Sequence, residues 1–506
     1  MSMTATRRMR AFKRWMKCQG IECSDALNLA IATKSPQSIS VLVEALCDLR
    51  VGDVVARIPK QSCLTVKTSG AHQLIEESQL GGYLGLSVAV MYEKSLGPQS
   101  PWFQYLQLMP LVEPIPLLWS FPEIDSLLYG TELHKIVKED KALLYDDWKE
   151  CIEPLLGSAL LELNPYFFSV QEYFAARSVI SSRSFEIDKY HGFGMVPLAD
   201  LFNHKTAAED VHFTAVSSHS ESDSDADNDN SVTEVDGDDE PIAQDSHSEK
   251  DGFSGGDMDS SPTSGDDPTV LEMIMIKDVK AGSEVFNTYG SLGNAALLHR
   301  YGFTEPDNPF DIVNIDLELV LQWSSSLFSC RYGRRRLSLW RKLDHSGRVS
   351  QNSEYFEISF DGEPEVDLLV LLYIMLLPEE AYHELDLALS AVGNLNKSPN
   401  PCFTIKGNLL FIKGSVSKNL LLTKDVCEAL LSLADSREAL YGLSSLDDDI
   451  RSLKSCCASE YKLYHSLMLR ISEKRILEKL RCYAAAGSRI LTTAKGINSK
   501  RKVKRT

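Results

Sequence analysis

Apolar positions recur along this chain with two periods, and the chain switches between them several times. Phe12, Trp15 and Met16 share one face of a short helix over 12–20. Ile39–Leu46 and Val54–Pro59 are rich in β-branched residues, and Arg50–Asp53 between them has turn chemistry. This predicts strand, turn, strand, with Pro59 stopping the second. From Gly81 to Ser182 the spacing becomes helical. Leu84–Tyr92 and Lys141–Trp148 show the three-four spacing of half-buried helices, and Tyr173, Phe174 and Val179 continue it. Residues 192–216 return to strand and turn. Val270–Ile276 reads as a strand and Lys280–Ser283 as a turn. From about Asp311 the pattern is helical again, clearest at Val366–Tyr373, at Val426–Leu433 and in one long helix from Leu446 to Tyr483. Phe403–Ile405 and Leu409–Ile412 fit a small hairpin. The expectation is an α+β fold: a β-rich core over 10–310 with a helical insert at 81–182, then a mainly α-helical block over 311–485.

Composition changes this picture in one place. The 506-residue chain is 43% hydrophobic and 24% charged, as expected of a globular protein. Its net charge is −19, but residues 217–268 hold 17 Asp or Glu against one Lys, which is −16. The remainder is therefore near −3, and the acidity belongs to an insert too poor in large apolar residues to fold, expected to be disordered. No apolar run reaches about 18 residues, so no membrane span is expected. Met1–Lys17 is basic but lacks the apolar centre of a secretory signal. The tail 486–506 is basic, as a nuclear import signal or a frayed end would be. The 11 cysteines are scattered without Cys-x-x-Cys spacing, so no metal site is expected and reduced thiols are the default. These features point to the nucleus or cytoplasm.

Motif absence narrows the chemistry. The sequence has no phosphate-binding loop, dinucleotide fingerprint, Gly-x-Ser-x-Gly elbow or His-Glu-x-x-His. What it does have is Pro197–His204, ending in Asn203-His204, then a strand. After that come Gly282, Glu284, Val285 and Phe286, then Tyr289-Gly290, Asn294 and Tyr301-Gly302-Phe303. Alone, an Asn-His pair in a turn or a Tyr-Gly after a strand is an ordinary structural feature. In this order they resemble the two halves of a SET-domain active site in the Rubisco large-subunit methyltransferase family, closest to its ribosomal-protein lysine methyltransferase branch. Phe12 with Trp15, the Asp48–Asp53 turn, Trp102 with Tyr105, Ser182–Phe185 and Arg470–Leu477 extend the resemblance over about residues 10 to 485, apart from the acidic insert.

The resemblance implies a protein-lysine N-methyltransferase using S-adenosyl-L-methionine, with the 311–485 block as a substrate-binding domain. It implies that Tyr289 orients the lysine amine and walls its channel. Asn203, His204, Arg183, Tyr289, Ser40, Val41 and Phe303 would contact the cofactor, with Arg183 on its carboxylate. Trp102, Ser184 and Tyr301 would lie near the substrate. One departure stands out. The family has Gly-x-Gly where its first strand approaches the cofactor, and Ser40-Val41-Leu42 occupies that place. Two other readings follow: a protein-histidine methyltransferase of the same fold, and a cofactor-impaired SET scaffold that binds a basic partner through the acidic insert. The expected partner is a protein substrate, ribosomal or otherwise basic, acted on by a monomer, with no direct nucleic acid contact and no membrane.

Overall fold

The first helix, Met3–Cys18, turns Met9, Phe12, Trp15 and Met16 into the protein, where all four are buried. It opens a computed structural model that describes residues 3–35, 38–215, 269–342, 355–393, 403–405, 408–411, 418–457 and 459–503. Ser38–Ala45 pairs antiparallel with Leu27–Ser35. The latter strand went unread in the sequence, although Leu27, Leu29 and Ile31 carry the alternation that defines it. Val54–Pro59 does not pair with Ser38–Ala45. It lies between Glu22–Cys23 and Val270–Met275, and Val211–Ala215 completes this four-stranded antiparallel sheet. Ala215 stands opposite Leu271, so the two ends of the acidic insert meet at one edge. The insert, 217–268, lies outside the described residues.

Helices Gly82–Ser95, Leu133–Asp147 and Val170–Arg183 dominate the insert between strands. The last is started by Ser169, whose hydroxyl accepts from the Glu172 N–H, and it runs straight into strand Ser184–Asp188. That strand, Gly192–Met195 and Leu64–Thr65 form a three-stranded sheet. One continuous apolar core takes in these elements from Met9 to Val285, and a second runs from Val313 to Ala484. A smaller cluster joins Trp119, Ile124, Leu128, Leu133 and Val137 of the insert to Leu298 and Leu469.

The C-terminal block corrects three expectations. Its first element is a strand, Val313–Asp316, paired with Tyr355–Ile358, because Val313 and Ile315 alternate inward. The expected long helix from Leu446 is two helices, Leu446–Ser455 and Tyr461–Val503. Cys456 is extended between them, and the Cys457 N–H donates to Glu460 Oε2 where the second begins. The basic tail is helical as far as Val503. The small hairpin is present, as Phe403–Ile405 with Asn408–Phe411.

Candidate active site

Three segments distant in sequence cross at one point. Strand Ser38–Ala45 runs beside residues 283–285: the Val285 N–H donates to the Val43 carbonyl (2.8 Å) and the Ala45 N–H to the Ser283 carbonyl (2.9 Å). Residues 283–285 lead on to Asn287, whose N–H donates to the Asn203 carbonyl at 2.9 Å and which pairs with His204 in a parallel bridge. The approach to Asn203 passes through Leu198, a buried non-glycine residue at φ +79°. Such a conformation costs on the order of 1–3 kcal/mol and persists only where the surroundings enforce it.

Beyond the crossing four aromatic rings stack. His204 lies flat on Tyr289 (4.7 Å, 10°), and Tyr289 lies flat on Tyr301 (4.0 Å, 9°). Phe303 closes the group, 5.9 Å from His204 and 6.4 Å from Tyr301. The Tyr289 N–H donates to His204 Nδ1 (2.9 Å), so that nitrogen is the acceptor and the ring proton sits on Nε2, 3.2 Å from Thr206 Oγ1. Burial lowers the His204 pKa, which keeps the ring neutral. Burial also raises Tyr289 well above the ordinary phenol value, against the pull of Arg183, and raises Tyr301. Both hydroxyls therefore stay protonated across the physiological range.

Charge is concentrated behind the rings. Arg183 Nε donates to Glu113 (2.8 Å) and Nη1 to the Asp200 carbonyl (3.0 Å), while the Asp200 carboxylate is 3.7 Å away. Burial opposes the charge on Arg183, but Glu113 and Asp200 outweigh it and hold its pKa above the ordinary value. Asp200 is pushed up to about 6 by burial, with Arg183 pulling it down. Its Oδ2 accepts from the Tyr105 hydroxyl (3.1 Å), and its Oδ1 is buried with no partner among the described residues. Asn203 Nδ2 donates to Glu284 Oε1 (2.6 Å) and to the Val41 carbonyl (3.4 Å), which leaves its own carbonyl oxygen facing away from both.

No family model matches the chain. Among curated proteins, ribosomal lysine N-methyltransferase 3 of Saccharomyces cerevisiae is 24% identical over 380 residues, covering 65% of this chain and 68% of that protein. The Xenopus laevis N-lysine methyltransferase setd6 is 22% identical over 395 residues, 74% of each chain. Among solved structures, the SET domain of LSMT bound to lysine and AdoHcy matches with a TM-score of 0.59 at 18% identity, over 96% of this chain and 92% of that one. Rubisco LSMT bound to AdoMet matches with a TM-score of 0.58, also at 18% identity, over 95% of this chain. The chain shares the fold of these SET-domain structures.

The fold gathers Tyr289, His204, Tyr301 and Phe303 into one aromatic cluster and ties Asn203 to the Val41 carbonyl. Arg183 lies close enough to act electrostatically on the Tyr289 hydroxyl. Ser40 lies one residue before Val41 in the same strand, opposite Ala32. Two expected residues are not brought to the rings. Trp102 is buried in the large core, and Ser184 opens a strand opposite Met195. Neither makes a ring contact or hydrogen bond to the stack among the described residues. Sequence reasoning missed Glu113, Glu284 and Tyr83. Glu284 stood inside a recognised motif. Glu113 gave no signal, because its partner Arg183 is 70 residues away. Tyr83 packs on Phe193 (4.7 Å) and contributes to raising Tyr301.

These residues suit a cofactor that carries an amino acid and a sulfonium. Arg183 Nη2 has no partner among the described residues and is a free donor for a carboxylate. The unpartnered Asp200 Oδ1 is a free acceptor. The aromatic faces suit a cationic sulfur.

Proposed function

We propose that this chain methylates the side-chain amine of lysine in a protein substrate, using S-adenosyl-L-methionine. The observation that carries the reading is the face-to-face stack of His204, Tyr289 and Tyr301 at the crossing of the two motifs. When bound, the cofactor supplies an electrophilic methyl group. The chain supplies position and environment. Arg183 and Asn203 would hold the cofactor, and the neutral His204 ring fixes the backbone of Tyr289. A lysine entering between aromatic walls loses solvent, which lowers its pKa from about 10.4 toward the neutral amine that can react. The protonated Tyr289 hydroxyl accepts an amine N–H and so aims the nitrogen lone pair. Holding amine and methyl in line contributes up to roughly 7–11 kcal/mol.

Residues 10–310 form the SET domain in this reading, and 311–485 the domain that selects the substrate. The name of the yeast relative supports a ribosomal or other basic protein as substrate. Among the described residues no helix is long and apolar enough to cross a membrane, and no cluster of three metal-ligating side chains occurs. The basic tail supports a nuclear or cytoplasmic site, and we take the protein to act as a monomer. One feature favours a second reading. Ser40, Val41 and Leu42 sit in regular pairing with Ala32, Ile31 and Ala30, and Val41 is buried, so the strand lacks the open approach that glycines would give. This supports a cofactor-impaired scaffold.

Calorimetry with S-adenosyl-L-methionine separates the two, and labelled-methyl transfer into a cell extract lacking the protein identifies the target. Binding, transfer to lysine and a loss of about 100-fold in Tyr289→Phe are expected. Absence of cofactor binding leaves the scaffold reading, and a methyl group mapped to histidine overturns the lysine assignment.

A further inference from the structure

Outside the acidic insert the chain is nearly neutral, yet its cations are not evenly spread. Helix Cys330–Lys342 carries Arg331, Arg334, Arg335, Arg336, Arg341 and Lys342. Gly333, Arg336, Leu337, Leu339 and Trp340 are buried, so the inner face is already used in the second core. Arg331, Arg334, Arg335, Ser338, Arg341 and Lys342 are all exposed. At about 100° per residue these six fall within roughly a third of the helix circumference, along about 17 Å of its length. Acidic relief comes from one side only: Arg335 lies 3.6 Å from Glu379 and Lys342 3.7 Å from Asp386, both on helix Glu379–Gly393. Arg331, Arg334 and Arg341 have no ion pair among the described residues.

We propose that this arginine stripe binds the phosphate backbone of a nucleic acid duplex. The stripe presents five cations and one hydroxyl and no apolar side chain. Specific protein interfaces are built around a desolvated apolar or aromatic centre, which is missing here, whereas phosphate contacts need only fixed cations and donors. Membrane-surface helices need a free apolar face, and this one is packed inside the protein. Four of the five cations are arginine, whose planar fork matches phosphate oxygens in pairs. The proposal departs from the expectation of no direct nucleic acid contact because of this local row of cations. The inference is independent of the methyl-transfer reading.

The test uses the full chain and fluorescence anisotropy with labelled RNA and DNA duplexes over a salt series. Binding should weaken with salt by about 0.9 log units per log unit for each phosphate neutralised. In Arg331→Glu/Arg334→Glu/Arg341→Glu that slope should fall by roughly 2–3, and low-salt affinity by about tenfold or more. The milder Arg331→Gln/Arg334→Gln/Arg341→Gln should lie between, with melting temperature unchanged in both. Preference for RNA over DNA, or none, identifies the phosphate source. Equal affinity and slope in wild type and variants overturns the proposal. So does competition by polyglutamate of matched charge as effective as the duplex, or binding to anionic vesicles without binding to duplexes.

Discussion

Asn203 shows how one side chain can depend on a single carboxylate, that of Glu284. Glu284 fixes the orientation of the Asn203 amide, because the donor nitrogen is taken by Glu284 and Val41. Glu284→Ala should weaken cofactor binding by about 1.5–3 kcal/mol, the range for a hydrogen bond to a charged group. Glu284→Gln keeps an acceptor and should recover most of it, as read by calorimetry. A second residue-scale prediction concerns acid. His465 Nδ1 accepts from the Thr304 N–H, and burial lowers the His465 pKa to about 4 from 6.5. The unfolded chain therefore binds a proton that the folded chain refuses. The stability contributed by neutral His465 is full above pH 6.5 and is lost as pH falls toward 4, by about 3 kcal/mol at most. Asp200 works the other way: its pKa is raised to about 6, so its titration costs stability as pH rises from 3.8 to 6. The difference in unfolding free energy between wild type and His465→Gln isolates the first effect. It should grow with pH from 4 to 6.5 and then level. Asn203, His204 and Tyr289 were legible in the sequence because each lies inside a short motif. Glu113 and Tyr83 were not, because they matter only through contacts that folding creates.

Among the elements, helix Asn294–Tyr301 sets the angle of the Tyr301 ring and ends at Gly302 in the left-handed conformation, φ +78°. An added Cβ there would lie 3.1 Å from the Pro114 carbonyl and 3.1 Å from the Tyr461 hydroxyl. Gly302→Ala should cost roughly 1–3 kcal/mol of stability and misplace both Tyr301 and Phe303. Urea unfolding and the KM for substrate should show the two effects together. Elements with a clear period were legible, such as Gly82–Ser95 and Val366–Met375. The strands Leu27–Ser35 and Val313–Asp316 were not: in one, Ala30 and Ala32 blur the alternation of Leu27, Leu29 and Ile31, and the other spans four residues. Pairing was less legible still. Ser38–Ala45 and Val54–Pro59 are neighbours in sequence but belong to different sheets.

At the scale of the whole molecule, Arg437 ties the C-terminal block to the helical insert. Its guanidinium donates to the Gly130 carbonyl (2.7 Å), the Asn314 carbonyl (3.0 Å) and Glu132 (2.9 Å), with Glu473 3.7 Å away. Burial opposes its charge, and Tyr441, Glu132 and Glu473 together raise its pKa above the ordinary value. Arg437→Leu leaves Glu132 and Glu473 facing each other without their cation. It should destabilise the protein by about 3–5 kcal/mol, seen in denaturant unfolding. Replacing 217–268 with a short Gly-Ser turn should leave the melting temperature within a few degrees and cofactor affinity unchanged, because Ala215 and Leu271 already pair. The same edge has a consequence for construction. Val211–Ala215 is laddered to Val270–Met275, and His204 is bridged to Asn287, so the two sides of the insert are joined by backbone pairing. The chain is therefore suited to division into two pieces. Fragments ending before and starting after the insert carry one motif each and have a built-in interface through which to reassemble. A protease that cut between them would nick the molecule without dividing it.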